Sequence, residues 1–563
     1  MQPVRLSGCR TSVGKLDLSR GRAMPRGMVD CMNQEVFTAN ARVGAILEYI
    51  VSGWDVLTRS SEDCRMVADP KLTEAAILYL PAGYRAPDAL KRFLRECHVR
   101  LESLPFVIRE SGECAGHAIH PEGLLFLENP YVVPGGRFNE MYGWDSYFIV
   151  RGLLRDGRVA LAGHIVENFL FEIEHYGSVL NANRSYYLTR SQPPFLSSMV
   201  AAGYEALAAA GETPAWLPRA LKGVSRDYDM WVRPPHLAGA TGLSRYYDFG
   251  EGPVHEGLHD EIDYYDDVLS FFLRTDPNGR CLIESDTRDS LLNRKYSREL
   301  SPATSSSEHG HDVMHVALSP EYYKGDRSMR ESGFDISFRF GPYGAETHHF
   351  APVCLNSLLY KTEKDMEAMN RRLGDNAAAA KWRERAAKRK ASVQSLLWNP
   401  QRGLFFDYDF EKAQPSSYEY VTTFYPLWAG LATPEQAQAV AMNLSLFEHL
   451  GGLATSTRET GVQWDYPYGW APLHLLAVEG LRRYGYHREA ERISVKFLSM
   501  VLVNFERDGN IREKYNVVTD SSNTEVAEGY RGNIVGFGWT NGVFLELWRQ
   551  LPPSAQSVVG QPS

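Results

Sequence analysis

The feature that most constrains the fold of this 563-residue chain is a recurring apolar period of three to four residues. In residues 158–175, apolar side chains fall at positions 162, 165, 166, 169, 170 and 173, which is one face of an α-helix. Similar patterns occur at 197–211, 214–224, 355–373, 375–397, 435–449, 472–484 and 487–504. Strand-like alternation is sparse, with 403–410 the main example. The chain is therefore predicted to be all-α in class.

Several of these helices are separated by only a short turn, so neighbours should pack antiparallel as hairpins. Hairpins repeated along one chain can stack as a solenoid or close into a ring, and the lack of a fixed-period repeat argues against a regular solenoid. No Pro/Ser-rich linker divides residues 41–551, which are predicted to form one domain. Residues 1–40 lack a period and are expected to be a loosely ordered lead-in. Residues 552–563 have the composition of a disordered tail.

Charge and cysteine content exclude several classes of protein. The net charge of -9 provides no positive field for a polyanion, so nucleic acid is not expected as a partner. The seven cysteines are dispersed without metal-ligand spacing, which predicts reduced thiols. No apolar run reaches the length of a secretion signal or a membrane span. The sequence predicts a cytoplasmic protein without a membrane partner, and it leaves the oligomeric state undetermined.

The loops between helices carry the chemistry. The segment PGGRFNEMYGWDSYF at 134–148 combines one arginine, two carboxylates and five aromatic rings. Aromatic faces can cover the apolar side of a sugar ring, while arginine and carboxylate groups bind its hydroxyls. For any single aromatic residue taken alone, packing in the core is the favoured interpretation. The segments 181–195, 327–340, 461–473 and 511–518 have similar compositions.

Two carboxylates in these loops are candidates for acid–base chemistry. Asp335 lies between Phe334 and Ile336, whose apolar side chains could favour its protonated form. Glu513 lies between Arg512 and Lys514, which could hold it ionised. Each carboxylate also has a structural interpretation without catalysis. Asp335 could cap a helix or form a salt bridge with Arg330 or Arg339, and Glu513 could belong to a surface ion pair.

Phosphate-binding, dinucleotide-binding, nucleophile-elbow, zinc-protease and EF-hand motifs are missing from the sequence. An enzyme that relies on carboxylates, arginines and aromatics, with neither cofactor nor metal, fits glycoside hydrolysis best.

The segments PGGRFNEMYGWDSYF and QWDYPYGWAP resemble the two signatures of the trehalases of glycoside hydrolase family 37. The resemblance extends from GWDVLTRS at 53–60 to GFGWTNG at 536–542, and it is greatest to the neutral, cytosolic branch. It implies an (α/α)6 toroid that hydrolyses the α,α-1,1 bond of trehalose with inversion, using only the sugar and water as small-molecule partners.

By this resemblance, Asp335 occupies the position of the acid and Glu513 that of the base. The residues that match sugar-contacting positions or lie in pocket-lining segments are Arg137, Trp144, Asp145, Asn181, Arg190, Gln192, Glu256, Arg330, Gln463, Trp464, Asp465 and Trp539. Asn516 stands where the family usually has Asp, and Phe334 where Trp or His is common. Two alternatives remain open from the sequence: a hydrolase of another small α-glucoside on the same fold, and a non-catalytic sugar-binding or sensing protein.

Overall fold

The computed structural model describes residues 41–61, 63, 76–117, 119–209, 211, 216–259, 263–284, 298–300, 314–527 and 532–561. The predicted lead-in at 1–40 lies outside them. The helices are α1 (Ala41–Leu57), α2 (Asp88–Glu96), α3 (Asp145–Arg155), α4 (Val159–His175), α5 (Leu196–Ala209), α6 (Leu217–Trp231), α7 (His255–His259), α8 (Tyr264–Thr275), α9 (Pro320–Glu331), α10 (Val353–Arg372), α11 (Asn376–Leu396), α12 (Tyr425–Ala429), α13 (Pro434–Met442), α14 (Ala471–Arg483), α15 (His487–Asp508), α16 (Gly538–Gln550) and α17 (Pro553–Gln556).

The strands are short and form small sheets between the helices. They are β1 (Thr58–Arg59), β2 (Ile77–Leu80), β3 (Arg100–Ser103), β4 (Leu124–Leu125), β5 (Tyr131–Val132), β6 (Leu282–Glu284), β7 (Arg298–Leu300), β8 (Met314–Leu318), β9 (Phe350–Ala351), β10 (Trp398–Asn399), β11 (Leu404–Phe405), β12 (Tyr408–Asp409), β13 (Gln414–Pro415), β14 (Glu448–His449), β15 (Gly452–Leu453), β16 (Tyr468–Trp470) and β17 (Lys514–Asn516).

Helices α3, α5, α10, α12, α14 and α16 form a closed inner ring. Each packs against the next in this order, and α16 packs back against α3. Helices α1, α4, α6, α11 and α15 lie outside, against α16, α3, α5, α10 and α14 respectively, and α13 follows α12 as the second member of its pair. The chain is thus an all-α toroid of helical hairpins, as predicted.

Inner and outer helices differ in sequence because they bury different fractions of their surface. The inner helix α14 is buried without interruption from Ala471 to Val478, as expected of a helix that is apolar on all sides. The outer helix α11 buries one stripe, which consists of Ala379, Trp382, Ala386, Arg389 and Val393. The predicted helices are confirmed, except that the segment 435–449 leaves the α-helical conformation after Met442 and continues into a hairpin of β14 and β15.

Two features of the fold differ from the predictions. Strands β3, β2 and β4 form a small parallel sheet, connected by α2, that sequence periodicity does not reveal because the strands are so short. The predicted disordered tail is wrong for the described residues 553–561. Ala555 and Val559 are buried in the main core, and the Gly560 amide donates to Ser499 Oγ at 2.8 Å.

The prediction of reduced thiols holds for Cys114, Cys281 and Cys354 and is wrong for Cys97, which is disulfide-bonded. Among the described helices, none combines the length and the apolar character needed to cross a membrane.

Candidate active site

A cavity of about 430 Å³ lies at one end of the ring. Its walls come largely from segments that precede inner helices: residues 134–145, 181–192, 463–470 and 532–539 lead into α3, α5, α14 and α16, and residues 330–335 and 513 complete the wall. The N-termini of α3, α5, α14 and α16 therefore lie near the cavity. The toroid gathers at one place the aromatic and acidic loops that are scattered along the sequence.

Asp335 lies half-buried in the segment between α9 and α10, in the cavity wall. Gly333 allows this segment to approach the Trp144 ring: its φ is +75°, and a Cβ at this position would lie 2.9 Å from that ring. After Asp335, the Phe338 amide donates to Asp465 at 3.0 Å. The Arg339 guanidinium, four residues after Asp335, donates two hydrogen bonds of 2.6 and 2.7 Å to the Asp407 carboxylate.

Glu513 lies immediately before β17, in the same cavity, with 15% of its side chain exposed. Its Oε2 atom lies 3.0 Å from Lys514 Nζ, and the Lys514 side chain is fully buried. The Glu513 carbonyl accepts a hydrogen bond of 3.2 Å from Trp539 Nε1. The alternative interpretation as a surface ion pair is therefore wrong, because the cation is inside the protein.

Asp145, the first residue of α3, is a third carboxyl group in the cavity. Burial raises its pKa well above the usual value, and Glu513 and Asp335 raise it further when they are ionised. Asp145 is consequently protonated where an ordinary carboxyl group is ionised, so it can donate a hydrogen bond to a ligand oxygen. Asp145 therefore joins Asp335 and Glu513 in the cavity without adding a further charge.

Glu256 contributes a fourth carboxyl group with the opposite behaviour. Burial alone would raise its pKa, but Arg190 and Arg330 hold the pKa below its usual value. Arg190 forms an ion pair with the Glu256 carboxylate. Arg330 contacts Asp326 at 3.2 Å and lies over the Tyr264 ring. Glu256 therefore provides a permanent negative charge opposite the arginines.

Aromatic rings form a continuous wall around these groups. The indoles of Trp464 and Trp470 are stacked with centroids 3.7 Å apart. The Trp144 ring lies 5.7 Å from both Trp464 and Trp539. Edge contacts of this kind fix the orientation of each ring. The wall is apolar, which suits the C–H face of a sugar ring.

The structure places most of the predicted residues in the cavity wall, and Arg190 and Asp465 are the exceptions. Arg190 forms an ion pair with Glu256 instead of lining the cavity. Asp465 is fully buried and accepts hydrogen bonds from the Phe338 amide and from Thr460 Oγ1, so it supports the segment that carries Asp335.

Sequence reasoning missed Tyr142, Asp263, Tyr264, Asp267 and Trp470, which also line the cavity. Tyr142 and Trp470 lie within the segments 134–148 and 461–473, whose composition predicts a binding pocket but does not give these two residues a role. The other three belong to the run DEIDYYDD at 260–267, which has the same mixture of acids and aromatic rings as the other loops. That composition could have identified them.

The two departures from the family pattern have structural explanations. The Asn516 side chain accepts hydrogen bonds from the Val518 and Thr519 amides at 3.1 and 3.0 Å, a turn contact that an aspartate could also make. Phe334 is buried and packs edge-on against Trp144 and Trp464. Asn516 therefore stabilises a backbone turn, and Phe334 belongs to the aromatic wall.

One group of metal-ligand type occurs in the described part of the chain, and it lies outside the cavity wall. Nε2 of His348 and Nε2 of His349 lie 3.2 and 2.9 Å from the same Glu321 oxygen. Their buried Nδ1 atoms find no hydrogen-bond partner among the described residues, whereas metal-bound histidines use that nitrogen to orient the ring. The structure thus places two imidazole rings against one carboxylate oxygen.

Comparison with known proteins gives a consistent result. The family model described as Trehalase matches residues 92–552. Cytosolic neutral trehalases from Beauveria bassiana and Saccharomyces cerevisiae are each 38% identical to this chain, over 455 and 463 residues, and the matches cover 74% and 77% of it. In both cases the match covers 58% of the relative's length. The solved structure of neutral trehalase Nth1 from Saccharomyces cerevisiae superposes with a TM-score of 0.73 at 32% identity, covering 94% of this chain and 96% of that one.

Proposed function

The chain belongs to the trehalase family, and on this premise we propose that it hydrolyses the α,α-1,1 bond of trehalose to two glucose molecules with inversion. The observation that carries this proposal is the placement of Asp335 and Glu513 in one cavity whose walls are aromatic rings and arginines. The catalytic domain would span the predicted residues 41–551 together with residues 552–561, which pack on its core. The relatives named cytosolic support a location in the cytosol.

The proposed mechanism is a direct displacement. Asp335, protonated, donates its proton to the glycosidic oxygen, and the leaving glucose departs. Glu513, ionised, removes a proton from a water molecule that attacks the anomeric carbon from the opposite face. Lys514 Nζ lies 3.0 Å from Glu513 Oε2 and holds that carboxyl group in the cavity.

The remaining residues are proposed to hold the two glucose rings. Asp145, kept protonated by burial, would donate to a sugar oxygen, and Glu256 would accept from a sugar hydroxyl. The residues proposed to bind the sugar beside them are Arg137, Trp144, Asn181, Gln192, Arg330, Trp464 and Trp539. Hydrogen-bond donors and aromatic rings at fixed positions would align the attacking water with the glycosidic bond before the reaction.

The experiment that tests the proposal is incubation of the purified protein with trehalose, with free glucose as the readout. Maltose and kojibiose in parallel reactions separate trehalose hydrolysis from the hydrolysis of another small α-glucoside. Early anomeric NMR should detect one α- and one β-glucose per trehalose, as inversion requires. Glucose release without β-glucose among the first products would contradict the mechanism. Failure to release glucose from trehalose would contradict the function.

A further inference from the structure

Gln463 and Lys514 connect the segments that carry the two proposed catalytic carboxyl groups. Gln463 Nε2 donates a hydrogen bond to the main-chain oxygen of Asp335. Gln463 Oε1 accepts a hydrogen bond of 3.0 Å from Lys514 Nζ, which also lies 3.0 Å from Glu513 Oε2. One chain of polar contacts therefore runs from the backbone of Asp335 to the carboxylate of Glu513.

We infer that Gln463 and Lys514 are positioning residues that fix the proposed acid and base relative to each other, an inference that rests on the proposed function. The reaction needs both carboxyl groups at defined distances from one bond and one water molecule, and small displacements of catalytic groups are costly. The two groups lie on different loops of the ring, so a direct link between those loops restricts their separation.

The hydrogen bonds of Lys514 exclude a direct role in binding the sugar. Its ammonium group has three N–H donors, and the structure provides three acceptors: Glu513 Oε2, Gln463 Oε1 and the Gly532 carbonyl at 3.1 Å. The side chain is fully buried. A buried ammonium group is tolerated only when it is paired in this way. Lys514 is therefore saturated by protein atoms and acts through Glu513 and Gln463.

The Gln463 contact with Asp335 and the Lys514 contact with Glu513 can be tested separately with α-glucosyl fluoride as the substrate. Fluoride leaves without a proton, so its release needs the base but not the acid. Gln463→Met removes the donor to Asp335 and leaves Lys514 in contact with Glu513. This variant should lose about 10- to 100-fold in trehalose hydrolysis and much less in fluoride hydrolysis.

Lys514→Met should lose activity on both trehalose and α-glucosyl fluoride. The variant removes the contact that positions Glu513, and the attacking water needs Glu513 as its base with either substrate. The loss should appear in kcat and leave KM nearly unchanged, because Lys514 is saturated by protein atoms and holds Glu513 in place. The matched control is Lys412→Met, which removes a lysine that is 43% exposed and paired with Glu346 at the surface. The control should leave both activities unchanged.

The outcomes distinguish this inference from the function on which it rests. If the wild-type protein releases no glucose from trehalose, the proposed function fails. If the wild-type protein is active and Gln463→Met loses equally on both substrates or on neither, the positioning inference fails while the function stands. If Lys514→Met does not fold by circular dichroism, the Gln463→Met comparison alone decides the inference, because retained fluoride turnover reports an intact cavity.

Discussion

Replacing Asp227 by Asn should remove the contribution of one buried carboxyl group to the pH dependence of stability. Asp227 lies in α6 with 4% of its surface exposed, and burial raises the pKa of its carboxyl group to about 7, although a hydrogen bond from the Val179 amide opposes the shift. Burial also raises the pKa of the neighbouring Glu172, which accepts from the Leu180 amide at 3.0 Å. The two carboxyl groups thus hold the backbone that leads into Asn181 of the cavity.

The sign and size of the effect follow from linkage. An aspartate in the unfolded chain titrates near pH 4, so between roughly pH 4 and 7 the folded state binds a proton at Asp227 that the unfolded state has lost. Stability therefore falls as the pH rises through this window and levels off above it. A shift of about three units corresponds to about 4 kcal/mol at roughly 1.4 kcal/mol per unit.

The assay compares thermal midpoints of wild type and Asp227→Asn at several pH values from about 4.5 to 8. About 3 kcal/mol of this change falls between pH 4.5 and 8. With an unfolding entropy on the order of 1 kcal/mol per degree for about 500 residues, the difference between the two midpoints should grow by about 3 °C in favour of the variant. Asp229→Asn is the matched control, because Asp229 lies on the same helix with a side chain that is 35% exposed. Parallel midpoint curves for wild type and Asp227→Asn would refute the reasoning.

Three further predictions address the proposed mechanism, the buried charges and the expected independence from metals. Asp335→Asn should lose nearly all trehalose hydrolysis and retain turnover of α-glucosyl fluoride, whereas Glu513→Gln should lose both; the opposite pattern in steady-state kinetics would reverse the roles. Asp407→Asn should destabilise the protein by about 3–5 kcal/mol in urea unfolding, because it weakens the pairing of the fully buried Arg339, and an unchanged unfolding midpoint would contradict this. Dialysis against EDTA should leave glucose release from trehalose unchanged, and a loss that a divalent ion restores would reveal a metal requirement.

The helices could be predicted from the sequence because burial on a ring leaves a local, periodic trace. The stripe from Ala379 to Val393 on α11 has the period of a helix, so its position follows from the sequence alone. Strands of two to four residues leave no such trace. The pairing of β2 with β3 and β4 joins residues that are far apart in the sequence, and nothing local specifies it.

The candidate site was predictable in composition and less so in the role of each residue. The roles of Arg190 and Asp465 depend on where neighbouring loops place their partners, Glu256 for the first and the Phe338 amide for the second. Lys514 follows Glu513 directly in the sequence, so their contact could be anticipated. Its burial could not be, because the groups that cover it come from other loops.

The segment 461–473 is so unusual in composition because it holds both proposed catalytic segments at once. Toward the acid, the Trp464 amide donates to the Ile336 carbonyl at 3.2 Å, and Asp465 accepts from the Phe338 amide. Toward the base, β16 pairs antiparallel with β17, so that Trp470 lies opposite Lys514. A loop that contacts two segments on opposite sides buries nearly all its own polar groups, and each then needs a specific partner. The Asp465 carboxylate and the Gln463 amide satisfy backbone groups of the segment that carries Asp335, and Gln463 also accepts from the Lys514 side chain. Aromatic rings fill the remaining volume, and this mixture of residues makes the loop recognisable in the sequence.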